Sequence, residues 1–229
     1  MSLRKLLAAV FRALRRTNQM QSQLSPSDIV KANTKEAFDL FYTQDEFIAA
    51  CYLSPGRLAL YDIVGEYCTD IFINLNVLDA VRVIDIGCGT GHMLEAIQRK
   101  LISRCQVELF GIDFADSAVS KAKTLLPAAT FVSADLYQNS LVSNFFDLVL
   151  CIETLEHLHQ PEKALIELLR ICKPRGSVVV TVPNGEKDSW DGHVNFWSAS
   201  NFSEFLSPYG LVDMKLLQDD TVIIARLAK

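Results

Sequence analysis

The sequence lacks the features that mark disulfide-rich, membrane-spanning or nucleic-acid-binding proteins. Its six cysteines form no C-x-x-C pair, which argues against a disulfide framework or a zinc site and favours reduced, buried cysteines. No apolar run reaches the roughly 18 residues of a membrane span. The formal net charge of −5 lacks the basic excess that nucleic-acid binding needs. What is present is a chain of 229 residues, 50% hydrophobic, long enough for one well-buried domain that we expect to be cytoplasmic.

The first 20 residues combine apolar and basic side chains and contain no acid. Apolar residues recur from Leu3 to Leu14 at the i, i+3, i+4 and i+7 spacing of a helix, with Lys and Arg on the other faces. One interpretation is a basic helix on an anionic membrane surface, or a targeting segment. The other is a helix that packs on its own domain or on a second subunit. The sequence does not distinguish these, and it leaves the oligomeric state open.

The chain divides into a helical part, residues 1–75, and an α/β part, residues 76–229. Ser25-Pro26 and Ser54-Pro55 each offer a cap followed by a proline at the first helical position. After residue 78, strand-like and helical runs alternate, which predicts a doubly wound sheet with parallel strands. The short link Asp219-Asp220 predicts a terminal hairpin and therefore an antiparallel last strand. The predicted strands are 81–86, 107–112, 130–133, 145–152, 176–182, 210–217 and 220–227, and the predicted helices between them are 91–103, 116–125, 161–172 and 199–207.

Three glycines follow the first predicted strand in the turn Gly87-Cys88-Gly89-Thr90-Gly91. Ligands of open parallel sheets bind beyond the carboxyl ends of the strands, where the next helix also presents free N–H groups. Side chains in this turn would block a ligand that lies against the backbone. The spacing G-x-G-x-G, with His92 at the sixth position, departs from the dinucleotide pattern G-x-G-x-x-G. The turn therefore favours a nucleotide-like ligand without a pyrophosphate.

Acidic residues end three successive predicted strands, at Asp85, Asp113 and Asp135. Asp113 occupies the position, about 20 residues after the turn, where an acid hydrogen-bonds ribose hydroxyls and repels a 2′-phosphate. Asp135 is placed to accept a hydrogen bond from an adenine amino group. Together with the glycine turn, the three acids indicate a ligand that carries hydrogen-bond donors and positive charge.

The segments "VIDIGCGTG", "FGIDFADSAVSKA", "VSADL" and "FDLVLCIETLEHL" occur in this order within residues 78–182. This order resembles the class I S-adenosylmethionine-dependent methyltransferases. The resemblance implies a Rossmann-like seven-stranded sheet, with Asp85 and Gly87 facing the methionine end of the cofactor. It also implies that Ile112 or Phe114, with Leu136, packs on the adenine. The cofactor-binding residues expected are Asp85, Gly87, Cys88, Gly89, Gly91, Asp113, Phe114, Asp135, Leu136 and Cys151.

The candidate catalytic residues follow the fourth and fifth strands. If "ETLEH" is helical, Glu153, Glu156 and His157 share one face, and His193 borders the same cleft. A hydroxyl acceptor must lose its proton to a base or through a metal ion. We therefore expect catalysis from His157, Glu153 and His193. A divalent cation is possible on Glu153, Glu156, His157 and His193.

The spacing E-x-x-E-H is similar to that of metal-dependent O-methyltransferases, those of ubiquinone biosynthesis and those that methylate the 3′ ends of small RNAs. "LEHL" also occurs in related methyltransferases that use no metal, so a histidine base without metal and a purely structural role both stay open. The aromatic residues Trp190, Phe196 and Trp197 either stack on the acceptor or anchor their loop. Tyr42, Phe47, Tyr52 and Tyr61 form a predicted lid, by analogy with the fold.

The sequence predicts a methyltransferase that acts on a small molecule, at oxygen. One alternative is methylation of the 2′-hydroxyl at an RNA 3′ end, which the dispersed basic residues beyond the first 20 do not favour. The other is a non-catalytic module that binds the cofactor, for which a damaged glycine turn or a missing acid would be typical. Neither defect is present in the sequence.

Overall fold

A seven-stranded sheet forms the centre of the computed structural model, which describes residues 33–74 and 80–229. The strands are β1 (Val81–Ile86), β2 (Val107–Asp113), β3 (Thr130–Ser133), β4 (Phe146–Ile152), β5 (Cys172–Pro183), β6 (Leu211–Leu217) and β7 (Val222–Ala228). Their order is β3-β2-β1-β4-β5-β7-β6. β7 runs antiparallel to both of its neighbours, β5 and β6, and all the other strand pairs are parallel. The predicted mostly parallel sheet with an antiparallel last strand is therefore confirmed.

Helices lie on both faces of the sheet and before its first strand. They are α1 (Lys35–Phe41), α2 (Asp45–Tyr52), α3 (Pro55–Asn74), α4 (His92–Leu101), α5 (Asp116–Leu125), α6 (Pro161–Ile171) and α7 (Ala199–Leu206), with 3₁₀ turns at Leu155–His157 and Ser207–Tyr209. The predicted start of α3 is confirmed, since Ser54 Oγ accepts from the N–H of Arg57 at 3.4 Å. The predicted start at Ser25 and the basic segment 1–20 lie outside the described residues.

Two apolar layers sandwich the sheet because its central strands are buried on both faces. Along β4, Leu148 and Leu150 face the layer that contains α3 and α4. Val149 and Cys151 face the opposite layer, which contains α6 and α7. This alternation with a period of two residues is the geometry of a strand between two helical layers. The predicted doubly wound architecture is therefore confirmed.

The largest boundary difference is at β5, which begins at Cys172 rather than at the predicted residue 176. Cys172 pairs with Phe146, and a register shift follows before Leu148 pairs with Ser177. This early pairing is a contact between strands, so apolar patterning along one strand does not reveal it. The other strands and helices of the sheet begin and end within about two residues of their predicted positions.

The helices that precede the sheet cover the edge where β1 and β2 end. Phe38 of α1 and Tyr42, which directly follows α1, belong to one apolar cluster with Phe114, Ala115 and Ala118, which follow β2. Lys35 of α1 is also ion-paired with Asp116 at the start of α5, at 2.7 Å. Within residues 33–74 and 80–229, no single helix is long and apolar enough to cross a membrane, and the bent pair α2 and α3 passes only on length and composition.

Candidate active site

The glycine turn brings bare backbone to the ends of β1 and β2. Gly87 has φ of +75°, and a Cβ there would collide with the side chain of Thr154. Gly89 has φ of +50°, and its N–H donates to Asp113 Oδ2 at 2.9 Å. Both positions require glycine, because other residues rarely adopt this conformation. The turn is thus held in one shape by the carboxylate of the following strand.

Two of the three strand-end acids are deeply buried. Asp85 is 2% exposed, and its Oδ1 has no hydrogen-bond partner among the described residues. Burial raises the pKa of Asp85 to about 8, and the Asp113 carboxylate adds to the shift. Burial also raises the pKa of Asp113 to about 6, although its oxygens accept from the N–H groups of Gly89 and Ala115. An unpartnered buried carboxylate oxygen is expensive, so a ligand with positive charge or N–H donors would stabilise it.

The strand-end cavity, with a volume of about 380 Å³, lies beyond β2 and β3. Its lining includes Ile112, Asp113, Phe114, Asp135 and Leu136, five residues that the sequence predicts around an adenosine. Asp113 is buried at its edge, whereas Asp135 is exposed and accepts from the N–H of Tyr137 at 2.8 Å. Two carboxylates, of Asp113 and Asp135, and the apolar side chains of Ile112, Phe114 and Leu136 therefore line one cavity.

The histidine cavity, with a volume of about 410 Å³, adjoins it beyond β1 and β4. Its lining includes Asp85, Cys88, Glu156 and His193. The residues that line both cavities are Phe38, Tyr52, Gly87, Glu153 and His157. The two cavities thus meet at the glycine turn and at the segment after β4.

Three predicted cofactor residues line neither cavity. Gly89 donates a hydrogen bond to Asp113, and a Cβ at this position would lie 2.9 Å from Cε1 of Tyr52, which lines the strand-end cavity. Gly91 packs against Ala122 of α5, where a Cβ would lie 3.2 Å from the alanine methyl group. Cys151 is fully buried in the layer that contains α6, in the same apolar cluster as Ile112 and Leu136 of the strand-end cavity. It is therefore buried next to residues of the cavity wall without lining the cavity itself.

Glu156, His157 and His193 form a cluster in which one ligating atom of each lies within 4.8 Å of the others. Glu156 is 1% exposed, and its Oε2 has no hydrogen-bond partner among the described residues. Burial raises the pKa of Glu156 well above its usual range, and Glu153 adds to the shift. Burial and the neighbouring His193 lower the pKa of His157 to about 4. His157 therefore carries a neutral imidazole, whose Nδ1–H donates to the Gly192 carbonyl at 3.3 Å.

Glu153 does not join this cluster, because the segment is not one continuous helix. Its backbone has φ of +51°, and only Leu155–His157 forms a 3₁₀ turn. The Glu153 carboxylate is ion-paired with Arg57 at 3.2 Å and accepts from Thr181 Oγ1 at 3.1 Å. The expected common helical face is wrong for Glu153, and the structure brings together three of the four predicted metal ligands.

Two residues that contact the candidate site residues are missed by reasoning from the sequence. Arg57 lies at the start of α3, far along the chain from Glu153, and no local pattern predicts their ion pair. Asp188 Oδ2 lies 2.5 Å from Nδ1 of His193, and its Oδ1 accepts from the N–H of Trp190 at 3.1 Å. The second contact is a local Asx turn, so the order Asp-Ser-Trp was a usable signal for it.

The aromatic residues divide between the two expected roles. Trp190 lines the histidine cavity, with its ring centroid 4.6 Å from that of His193. Trp197 stacks on Phe205 of α7 at 5.2 Å and anchors the loop to the sheet domain. Phe196 is 46% exposed. Among the predicted lid residues, Tyr42, Tyr52 and Tyr61 line the cavities, whereas Phe47 packs on Phe41.

Parts of this chain match known proteins in sequence and in structure. Residues 84–180 match the family described as methyltransferase domain. The ubiquinone biosynthesis O-methyltransferase of Schizosaccharomyces pombe mitochondria is 29% identical over 118 residues, which are 51% of this chain and 43% of that protein. The trans-aconitate 2-methyltransferase of Yersinia pestis is 28% identical over 116 residues, again 51% of this chain and 43% of that protein. The match thus spans less than half the length of these relatives.

The fold also matches solved structures over most of the chain. The CurJ carbon methyltransferase superposes with a TM-score of 0.71, covering 91% of this chain and 62% of that chain. The sequence identity is 15%, so this similarity establishes the fold and not the acceptor. The superposition includes residues before β1, as its coverage requires.

Proposed function

Since this chain carries, in residues 84–180, a methyltransferase domain of the class I S-adenosylmethionine-dependent superfamily, we propose that it methylates an oxygen of a small-molecule acceptor. One observation carries the proposal. A cavity suited to adenosine adjoins a cavity that holds two histidines and a buried carboxyl group, and the two meet at Gly87 and His157. Cofactor and acceptor would therefore approach each other at this junction.

The residues of the first cavity fit the cofactor. Asp113 would hold the ribose hydroxyls and Asp135 the adenine amino group, with Leu136 on an adenine face. Asp85 lines the adjoining histidine cavity beside Gly87, and its unpartnered Oδ1 fits the cationic amino group of the methionine part. When bound, the cofactor supplies a methyl group made electrophilic by its sulfonium.

The side chains of the second cavity would position the acceptor and take its proton. Alignment of the reacting groups can account for roughly 7–11 kcal/mol of the barrier. Phe38, Tyr52 and Trp190 provide apolar walls that exclude water from the junction. His157 is neutral but weakly basic, so it suits hydrogen bonding to the acceptor. His193 is the candidate base, because it lines the cavity and its Nδ1 lies 2.5 Å from the Asp188 carboxylate, which leaves Nε2 to face the acceptor.

A divalent cation also fits the cluster of Glu156, His157 and His193. Neutral imidazoles and a carboxylate are ordinary ligands, and the unpartnered Oε2 of Glu156 offers one of them. A cation held there would supply Lewis-acid activation of an acceptor hydroxyl. Titration calorimetry with Mg²⁺, Mn²⁺ and Zn²⁺ tests this, and Glu156→Gln should remove any heat of binding. An unchanged heat in that variant would place the cation elsewhere.

An RNA end is less well supported as the acceptor. Arg57 is the only Lys or Arg side chain among the described residues that line the two cavities, and it is already paired with Glu153. Phosphates would therefore find little countercharge near the junction. Filter binding of short RNA at low and high salt tests this alternative.

The proposed function is tested by incubating the protein with methyl-labelled S-adenosylmethionine and a panel of phenols, catechols and carboxylic acids. We expect S-adenosylhomocysteine to form together with a product whose label is on oxygen, as located by NMR of the product. Labelling on carbon would contradict the oxygen assignment. Tight cofactor binding without turnover of any acceptor, RNA included, would favour a non-catalytic binding module.

A further inference from the structure

Asp188 is fixed at both of its carboxylate oxygens, in the segment that follows β5. Oδ1 accepts from the backbone N–H of Trp190 at 3.1 Å, and Oδ2 lies 2.5 Å from His193 Nδ1. The backbone N–H of His193 in turn donates to the Trp190 carbonyl at 3.1 Å. The Asp188 side chain is only 14% exposed, and that of His193 only 9%. The pair is therefore a built contact of the histidine cavity and not a surface ion pair.

We propose that Asp188 is a positioning residue, which holds His193 in the tautomer with its proton on Nδ1 and leaves Nε2 bare. The inference rests on the proposed function for its purpose, since Nε2 is then the nitrogen available to the acceptor proton. An ionised carboxylate accepts hydrogen bonds and donates none, so Nδ1 must be the donor in this contact. The carboxylate thereby selects one of the two neutral tautomers.

The orientation of the His193 ring is set by other neighbours. Its centroid lies 4.8 Å from the ring of His157, 4.6 Å from Trp190 and 6.2 Å from Phe196, all in edge-to-face arrangements. These contacts confine the plane of the ring, whereas they do not choose which nitrogen carries the proton. Asp188 is therefore needed for the tautomer even where packing alone would keep the ring in place.

The Trp190 contact makes Asp188→Asn a sharp test. In that variant the amide oxygen should stay on the Trp190 N–H, which needs an acceptor. The amide nitrogen then takes the place of Oδ2 and presents a donor to His193 Nδ1. Nδ1 must become an acceptor, and the proton moves to Nε2. If Asp188 only anchored the loop, the nearly isosteric Asn would be milder than Ala; as a positioning residue, Asn reverses the tautomer.

The experiment combines ¹⁵N NMR of histidine-labelled protein with kinetics on the full chain. Long-range ¹⁵N–¹H spectra, assigned with His193→Gln, should show His193 protonated at Nδ1 in the wild type and at Nε2 in Asp188→Asn. We expect kcat to fall about 10²- to 10⁴-fold in Asp188→Asn, with the affinity for S-adenosylhomocysteine within twofold of wild type. Asp188→Glu should restore the Nδ1–H tautomer and part of kcat. Asp219→Asn, in the turn between β6 and β7, is the matched control and should change neither.

The proposal is overturned if wild-type His193 is protonated at Nε2, or if Asp188→Asn leaves the tautomer unchanged. It is also overturned if the tautomer reverses and kcat stays at the wild-type value. Should the protein methylate no acceptor, the spectra still decide the positioning role, so failure of the proposed function is distinguishable. S-adenosylhomocysteine binding by each variant verifies that it is folded.

Discussion

The strand-end cavity and the histidine cavity are built from different parts of the chain. The strand-end cavity takes its acids and its apolar faces from the ends of β2 and β3, and the rest of its lining from residues in or beside α1 and α2, from the end of β1 with the glycine turn, and from the segment after β4. Among the side chains that line the histidine cavity alone are ones from the α2–α3 junction, the end of β1, the segment after β5 and the turn between β6 and β7. The acids of the first cavity therefore follow from the topology of the sheet, whereas the side chains particular to the second depend on packing between distant segments. Acceptor chemistry can accordingly change while cofactor contacts remain.

Their electrostatics differ in the same way. Asp113, which lines the strand-end cavity, and Asp85, which lines the histidine cavity next to Gly87, are buried carboxylates with raised pKa values, and neither is ion-paired with a cation among the described residues. In the histidine cavity, Glu153 is compensated by Arg57. The cofactor side thus lacks positive charge that a cationic ligand supplies, and the acceptor side is largely balanced by its own residues.

The strongest test of the comparison is Gly87→Ala, at the junction of both cavities. The new Cβ would collide with Thr154 at a backbone φ of +75°, so we expect loss of measurable turnover and destabilisation by about 2 kcal/mol. Calorimetry with S-adenosylhomocysteine and urea unfolding measure the two effects. Gly56→Ala in α3 is the control, since a Cβ there meets nothing within 4 Å. Binding by Gly87→Ala within twofold of wild type would refute the role of the bare backbone.

A smaller effect, confined to one cavity, is expected from His193→Ala. His193 lines the histidine cavity and not the strand-end cavity. Loss of a general base should lower kcat about 10²- to 10⁴-fold, while the affinity for S-adenosylhomocysteine stays within twofold. Single-turnover kinetics and calorimetry separate these quantities. A parallel loss of cofactor affinity would show that the two cavities are not independent.

Breaking the Arg57–Glu153 ion pair should have a smaller effect than these losses of turnover, and we expect it in the stability of the fold. Glu153→Gln leaves Arg57 without its carboxylate in a site where the two side chains are only 29% and 13% exposed. We expect a loss of about 2–3 kcal/mol in the free energy of unfolding, because a charge-assisted contact is removed from a partly buried cation. Arg57→Met combined with Glu153→Gln should recover part of it. Asp45→Asn, in a pair whose acid is 88% exposed, is the control and should cost under about 0.5 kcal/mol.

The same comparison explains what the sequence predicts well. Strand periodicity, the glycine turn and the acids at strand ends are local patterns, and they predict the strands and the position of Asp85 and Asp113 at strand ends as the structure has them. The antiparallel β7 follows from the length of one turn. Each of these features depends on residues close together in the chain.

What the sequence does not predict depends on contacts between distant segments. The spacing of Glu153 to Glu156 suggests one helical face, but the chain turns at Glu153 because its carboxylate is held by Arg57 and Thr181. The contacts of Glu153 with Arg57 and Thr181 are not encoded within a short window. The burial of Cys151 in the layer that contains α6, by contrast, follows from the alternation of side chains along β4. The basic segment 1–20 lies outside the described residues, and its role stays a prediction.

The smallest expected effect concerns the uncompensated charge of Asp85. A carboxyl whose folded pKa is raised to about 8 from 3.8 holds a proton that the unfolded chain has lost, so its stabilising effect is present below about pH 4 and disappears as pH rises through about 8. Asp113, with a pKa of about 6, also loses part of its proton between pH 6 and 7, so the comparison is made with Asp85→Asn, in which Asp113 is retained. As the pH rises from 6 to 7, the free energy of unfolding of the wild type should therefore fall by about 1.4 kcal/mol more than that of Asp85→Asn. Urea unfolding at both pH values measures the difference, with Asp45→Asn, at an acid that is 88% exposed, as the control that should keep it. S-adenosylhomocysteine, whose amino group is cationic, should reduce this pH dependence, and an equal slope with and without it would separate Asp85 from the methionine end of the cofactor.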